Sequence, residues 1–120
     1  MNRPSRDDPL PAPTLRIAAH RDGTTGVIAL YGDLDFDGRP RFDDAVSQLV
    51  DEGIHTLRVD AEHLAFIDSA GLTALVAAHV ATEATSIEFQ LAPVSENTRR
   101  LIALSGLANL LLPDDQAPSG

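Results

Sequence analysis

A chain of 120 residues with 18 acidic and nine basic side chains, a formal net charge of −9, is one domain in size and carries the wrong sign for direct contact with nucleic acid or an anionic membrane surface. All nine basic residues are arginine, so the lysines of a phosphate loop, a Schiff base and a response-regulator receiver are missing. The absence of cysteine excludes a disulfide framework and a thiolate metal site, and it fits a cytoplasmic location.

Residues 1–13 hold Pro4, Pro9, Pro11 and Pro13 among charges, a composition that predicts a disordered arm. From Thr14 onward Leu15, Ile17 and Ala19 alternate, a turn follows at Arg21-Asp22-Gly23, and Gly26 to Tyr31 form a second apolar run. This predicts a leading β-hairpin. Asp37 is placed to cap a helix with Pro40 in its first turn, Phe42, Ala45, Val46, Leu49 and Val50 inward, and Gly53 at its end. Polar and apolar residues alternate over 55–60 and again over 87–91, the pattern of strands covered on one side only.

Between those strands lies Phe66-Ile67-Asp68-Ser69-Ala70-Gly71-Leu72. Leu72, Leu75, Val76 and Val80 follow with the spacing of one buried helical face, which puts Ser69 at the N-cap. Beyond Pro93, Ser95 opens a third helix with Leu101, Ile102 and Leu104 inward and Gly106 at its stop. Leu107 and Leu110 to Leu112 read equally well as a short edge strand or a last apolar turn, and 115–120 as a flexible tail. The order ββαβαβα predicts an α/β domain over 14–114. Its small mixed β-sheet has a hairpin, then parallel strands joined by helical crossovers, with helices mainly on one face. No apolar stretch approaches the roughly 20 residues of a spanning helix, and the residues after Met1 form no signal core, so neither membrane insertion nor export is expected.

Several chemistries fail on their residues. A hydrolase elbow needs a small residue two before its serine, and Ile67 stands there. His20, His55, His63 and His79 show no arrangement with Ser69 that would make one of them its base. Asp33, Asp35 and Asp37 with Gly38 imitate the start of a calcium loop, but its twelfth position is Asp44 instead of glutamate, and a strand precedes it. An enzyme, a metal and a cofactor are therefore not expected. Asp35 and Asp68 each end an extended stretch and precede a helix, so they should meet at the carboxyl end of the sheet, where α/β folds place their sites. A serine before an amphipathic helix is ordinarily a cap; its hydroxyl also faces unpaired N–H groups and the positive end of the helix dipole, where a phosphate is tolerated.

At these residues the chain resembles the STAS family, and within it the bacterial anti-sigma factor antagonists. The resemblance covers about Thr14 to Asp114. Gly32-Asp33-Leu34-Asp35 is similar to the family's turn after the second strand, 66–72 to its phosphorylation motif, and Arg100-Leu101 through Leu104-Ser105-Gly106-Leu107 to a late element. Together the three pieces are specific. Departures are Gly38, where many members have a threonine, Ala70, an accepted variant, and the missing glycine at Ala84-Thr85-Ser86. The resemblance implies a module that, unphosphorylated, binds an anti-sigma factor with a histidine-kinase-like ATPase fold and so frees a sigma factor. That partner is also a serine kinase, and a metal-dependent serine phosphatase reverses its action. Carried over by position, Ser69 is the phosphoacceptor, with Asp35, Asp68, Ser69, Ala70, Gly71 and Thr73 forming the partner surface. Thr73 is by default an exposed helix residue, alternatively a second acceptor. The competing roles are a non-phosphorylated STAS adaptor of a transport or signalling complex and, least favoured, an enzyme with Asp68 or Ser69 as nucleophile.

Overall fold

The structure, a computed structural model, describes residues 14–113. The arm expected over 1–13 and the tail expected over 115–120 lie outside the described residues. Chain order is β1 (Leu15–Asp22), β2 (Thr25–Leu34), α1 (Arg39–Asp51), β3 (Thr56–Ile67), α2 (Ser69–Ala84), β4 (Glu88–Val94), α3 (Glu96–Leu104) and α4 (Ala108–Leu111). The hairpin turns at Gly23-Thr24, with Gly23 at φ +63°. The strands lie in sequence order in one sheet, β1 antiparallel to β2 and the others parallel, which is the expected mixed architecture. The 107–112 segment resolves as helix: α4 is a single turn that buries Leu111, and its C-cap Leu112 is buried as well.

The core forms where one face of the sheet meets the helices. Ile28 and Leu30 of β2, Leu57, Val59 and Ala61 of β3, Phe42 and Leu49 of α1, Leu75 of α2 and Ile102 of α3 join a single buried cluster. The opposite face is wet, as the alternation predicts: Arg16, Ala18, His20, Tyr31, Arg58, Glu88 and Gln90 are all exposed there. Tyr31 and His63 stack on it, ring centroids 5.2 Å apart.

β3 runs longer than its alternation suggests. Its register against β2 slips between Ala29 and Tyr31 and again between Gly32 and Asp33. Each slip inserts an extra β3 residue, so the buried positions after Leu57, Val59 and Ala61 fall at Leu64 and Ile67. Simple alternation is thereby broken, and Phe66 turns out to solvent.

Two helices present other faces than expected. Against the sheet and α1, α2 buries Gly71, Ala74, Leu75, Ala78 and Thr82, while Val80 is exposed. Small side chains win this face because they let the helix sit low on the sheet, with the Thr82 hydroxyl donating to the Ala78 and His79 carbonyls. On α3, Ile102 and Thr98 are buried and Leu104 points outward. Ser95 caps α3 as expected, its Oγ accepting from the Thr98 N–H at 3.2 Å. The α1 cap departs from expectation: Gly38, not Asp37, is the N-cap and has no side chain to offer the helix, while the Asp35 carboxylate upstream accepts from the Gly38 N–H.

Phe42 is fully buried between α1 and the sheet. Phe42→Ala is expected to destabilise the fold by about 3–5 kcal/mol, read from the midpoint of urea unfolding followed by circular dichroism.

Candidate functional site

The carboxyl ends of β2 and β3 deliver two loops to the same end of the sheet. β2 closes on the buried Leu34 and β3 on the buried Ile67, paired in register with one another. Asp35 and Asp68 follow directly. The expected convergence of the two aspartates is therefore present, and its geometry is specific.

Asp68 is the N-cap of α2, with extended backbone at φ −105°, ψ −173°. One carboxylate oxygen, Oδ1, accepts from the Gly71 N–H at 2.8 Å, and the other, Oδ2, accepts from the Phe36 N–H at 3.2 Å. A single side chain thus caps the helix and ties down the loop after β2. The main chain adds a strand-end contact, Asp68 N–H to the Leu34 carbonyl at 3.4 Å. Asp35 shapes that loop from within: its Oδ1 accepts from the Gly38 N–H at 2.9 Å, and its carbonyl accepts from the Arg39 N–H at 2.9 Å.

The expectation that Ser69 is the cap is corrected. Ser69 is the first residue of α2, exposed, and its hydroxyl makes no hydrogen bond among the described residues. The capping acceptor is Asp68, whose carboxylate reaches both the helix and the Phe36 N–H. Thr73 is exposed one turn along, its hydroxyl donating to the Ser69 carbonyl at 2.8 Å. Ala70 is half-buried beside them. Gly71 lies beneath this surface, buried, and a Cβ there would stand 2.2 Å from the Leu34 carbonyl oxygen. Its hydrogen is what allows the first turn of α2 to rest on the end of β2.

Two aromatic side chains that sequence reasoning did not assign to the site flank it. Phe36, between Asp35 and Asp37, is 77% exposed, and Phe66, two residues before Asp68, is 50% exposed. The signal for Phe36 is a lone large apolar residue among aspartates in a loop. Phe66 carries no such signal, since only the slips in β3 turn it outward. The surface that results joins a free hydroxyl at a helix N-terminus, carboxylates already engaged in backbone bonds, and two apolar side chains in water. Among the described residues no cluster of three or more histidines or carboxylates could hold a metal ion. No helix there is long and apolar enough to cross a membrane.

A family model described as "Mlab, STAS domain" matches residues 17–113. Among solved structures, an anti-sigma factor antagonist from Mycobacterium paratuberculosis is similar at TM-score 0.73 and 24% identity, covering 86% of this chain and 88% of the other. The Bacillus cell fate determinant SpoIIAA, in its phosphorylated form, is similar at TM-score 0.64 and 24% identity, with 81% and 89% covered. A sulfate transporter family protein from Wolinella succinogenes is similar at TM-score 0.68 and 17% identity, with 78% and 75% covered. These likenesses show a shared fold. No curated protein matches the sequence.

Gly71→Ala forces a methyl group against the Leu34 carbonyl and is expected to destabilise the fold by about 1–3 kcal/mol. Asp68→Ala removes the acceptor of two backbone N–H groups and is expected to lose about 1–2 kcal/mol. Both are measured by denaturant titration, with Ser69→Ala as a control expected to leave the midpoint unchanged.

Proposed function

The chain belongs to the STAS domain family, and from that premise we propose that it is an anti-sigma factor antagonist acting in the cytoplasm. Its unphosphorylated form binds an anti-sigma factor of the histidine-kinase-like ATPase type through the Ser69 surface and frees a sigma factor. The same partner phosphorylates Ser69 and is released, and a metal-dependent serine phosphatase resets the module. In this reading the domain is a binding module and its partner supplies the catalysis.

The observation that carries the proposal is the separation of two tasks at neighbouring residues. Asp68 holds the helix start and the adjoining loop with both carboxylate oxygens, which leaves the Ser69 hydroxyl exposed and unbonded. Phosphate added to Ser69 breaks no structural bond. It adds about −1.5 to −2 charge at the positive end of α2, where the fold tolerates it, beside Asp68 and Asp35, where a partner must bury it. The modification then acts on association and not on folding. Asp35 and Thr73 extend the partner surface, with Ala70 at its edge and Gly71 as its support. Phe36 and Phe66 supply the apolar contact area that dominates most protein interfaces.

A second reading, a constitutive adaptor subunit of a transport assembly, draws support from the likeness to the sulfate transporter family protein. The two readings diverge on phosphate. Incubation with the candidate kinase and ATP, followed by mass spectrometry of the peptide holding Ser69, is expected to show a single phosphate there. In calorimetric titration, Ser69→Ala is expected to bind the kinase at least as tightly as the parent, and Ser69→Asp at least about tenfold more weakly. An unmodified Ser69 alongside an active cognate kinase, with Ser69→Asp binding at full affinity, would favour the adaptor. Phe36→Ala is expected to weaken binding by about tenfold or more without shifting the thermal midpoint, because the ring is largely in solvent.

A further inference from the structure

The two edges of the sheet differ in how open they are. The β4 edge carries Pro93, which has no N–H to offer, and its pairing with β3 turns irregular beyond Val59. β1 has neither safeguard. It runs eight residues without proline or bulge, in unbroken register from Leu15 opposite Gly32 to Asp22 opposite Thr25.

The direction of its backbone groups follows from one bond. The Asp33 N–H donates to the Thr14 carbonyl at 2.8 Å, and in an antiparallel ladder such bonded pairs recur at every second residue. Arg16, Ala18, His20 and Asp22 therefore turn their backbone groups toward β2. Leu15, Ile17, Ala19 and Arg21 turn theirs outward. The Leu15 carbonyl is consistent with this, since it accepts from the Arg41 guanidinium of α1. From Ile17 to Arg21 the outward groups have no partner among the described residues.

Charge supplies the second observation. Arg16 and Asp22 stand near opposite ends of β1 on the wet face, both exposed, and neither has an ionic partner among the described residues. A cation and an anion placed this way are complementary to their own two-fold image. We propose that β1 is a homodimer interface, in which two copies of the chain pair their β1 strands antiparallel about a two-fold axis at Ala19 and merge two four-stranded sheets into one. In that register Ile17 faces Arg21 of the second copy and Ala19 faces its counterpart. Arg16 meets Asp22 of the second copy, twice by symmetry. A register centred on Ala18 instead sets Arg16 against His20 and draws Leu15, whose carbonyl Arg41 occupies, into the ladder.

The assembly leaves the Ser69 surface free. Leu15 is level with Gly32 and Leu64, so β1 begins at the end of the sheet that carries Ser69. An antiparallel pair then puts the two Ser69 surfaces at opposite ends of the joint sheet. The dimer is bivalent, and a partner with two binding sites would gain avidity from it.

Sedimentation velocity on the full chain, from micromolar to millimolar concentration, is expected to show the mass rising from 12.8 kDa toward twice that value. Arg16→Asp alone, or Asp22→Arg alone, sets like charges against each other and is expected to weaken association at least about tenfold. The two changes combined in one chain restore the opposed charges and are expected to restore the dimer. Ala19→Pro, which deletes an outward N–H while sparing every bond to β2, is expected to give a monomer with an unchanged circular dichroism spectrum. A chain that stays monomeric at millimolar concentration, or a dimer indifferent to both single charge reversals, overturns the proposal.

Discussion

Everything at the carboxyl end of this sheet hangs on the Asp68 carboxylate. Its two oxygens bind backbone N–H groups that lie on different segments, Gly71 in the first turn of α2 and Phe36 in the loop after β2. The helix bond fixes where α2 begins; the loop bond fixes where Asp35 and Phe36 stand relative to it. The half-buried Gly71 bond is costly to lose, and because the same carboxylate also holds the Phe36 N–H, the loop and the helix start are coupled through one side chain. A domain with few aromatic residues and no cysteine thus orders this end of its sheet through backbone hydrogen bonding.

The sheet beneath that surface is shaped by irregularity in β3. The two slips in register let one strand change the spacing of its inward residues while keeping its core face covered. Before the slips, polar residues such as Arg58 face solvent; after them, Phe66 does. Along β3 the wet face consequently changes character, from Arg58 at one end to Phe66 at the other. Tyr31 and His63, stacked at the changeover, mark the row where the first slip is complete.

Much of the architecture was legible in the residues. Alternation over 55–60 and 87–91 announced strands with one wet side, Ser95 announced its helix, and the pairing of extended stretches with following helices placed Asp35 and Asp68 together. What escaped detection shares a physical cause, namely decisions made by tertiary partners. Asp and Ser are nearly equal as caps, and the choice of Asp68 over Ser69 is made by the Phe36 N–H, which lies 32 residues away in sequence. Counting large apolar residues on α2 pointed to Val80, whereas close packing selected Ala74 and Ala78. Leu104 departs for the same reason, a large residue on a helix whose inward face is held by Thr98 and Ile102. Bulges leave little trace in composition, so the outward turn of Phe66 could not be anticipated from an apolar pair.

The small residues on the inner face of α2 have one more consequence. Gly71 meets the Leu34 carbonyl, and Ala74 and Ala78 are the next small residues buried along the helix. Long side chains between a helix and a sheet act as adjustable spacers, and a change of volume in one of them lifts or tilts the helix. Here the spacer is nearly absent at the end where α2 starts. The elevation of Ser69 above the sheet is therefore set largely by the main-chain contact at Gly71. If Ser69 is the group a partner reads, as proposed above, this main-chain contact fixes the height at which it is presented.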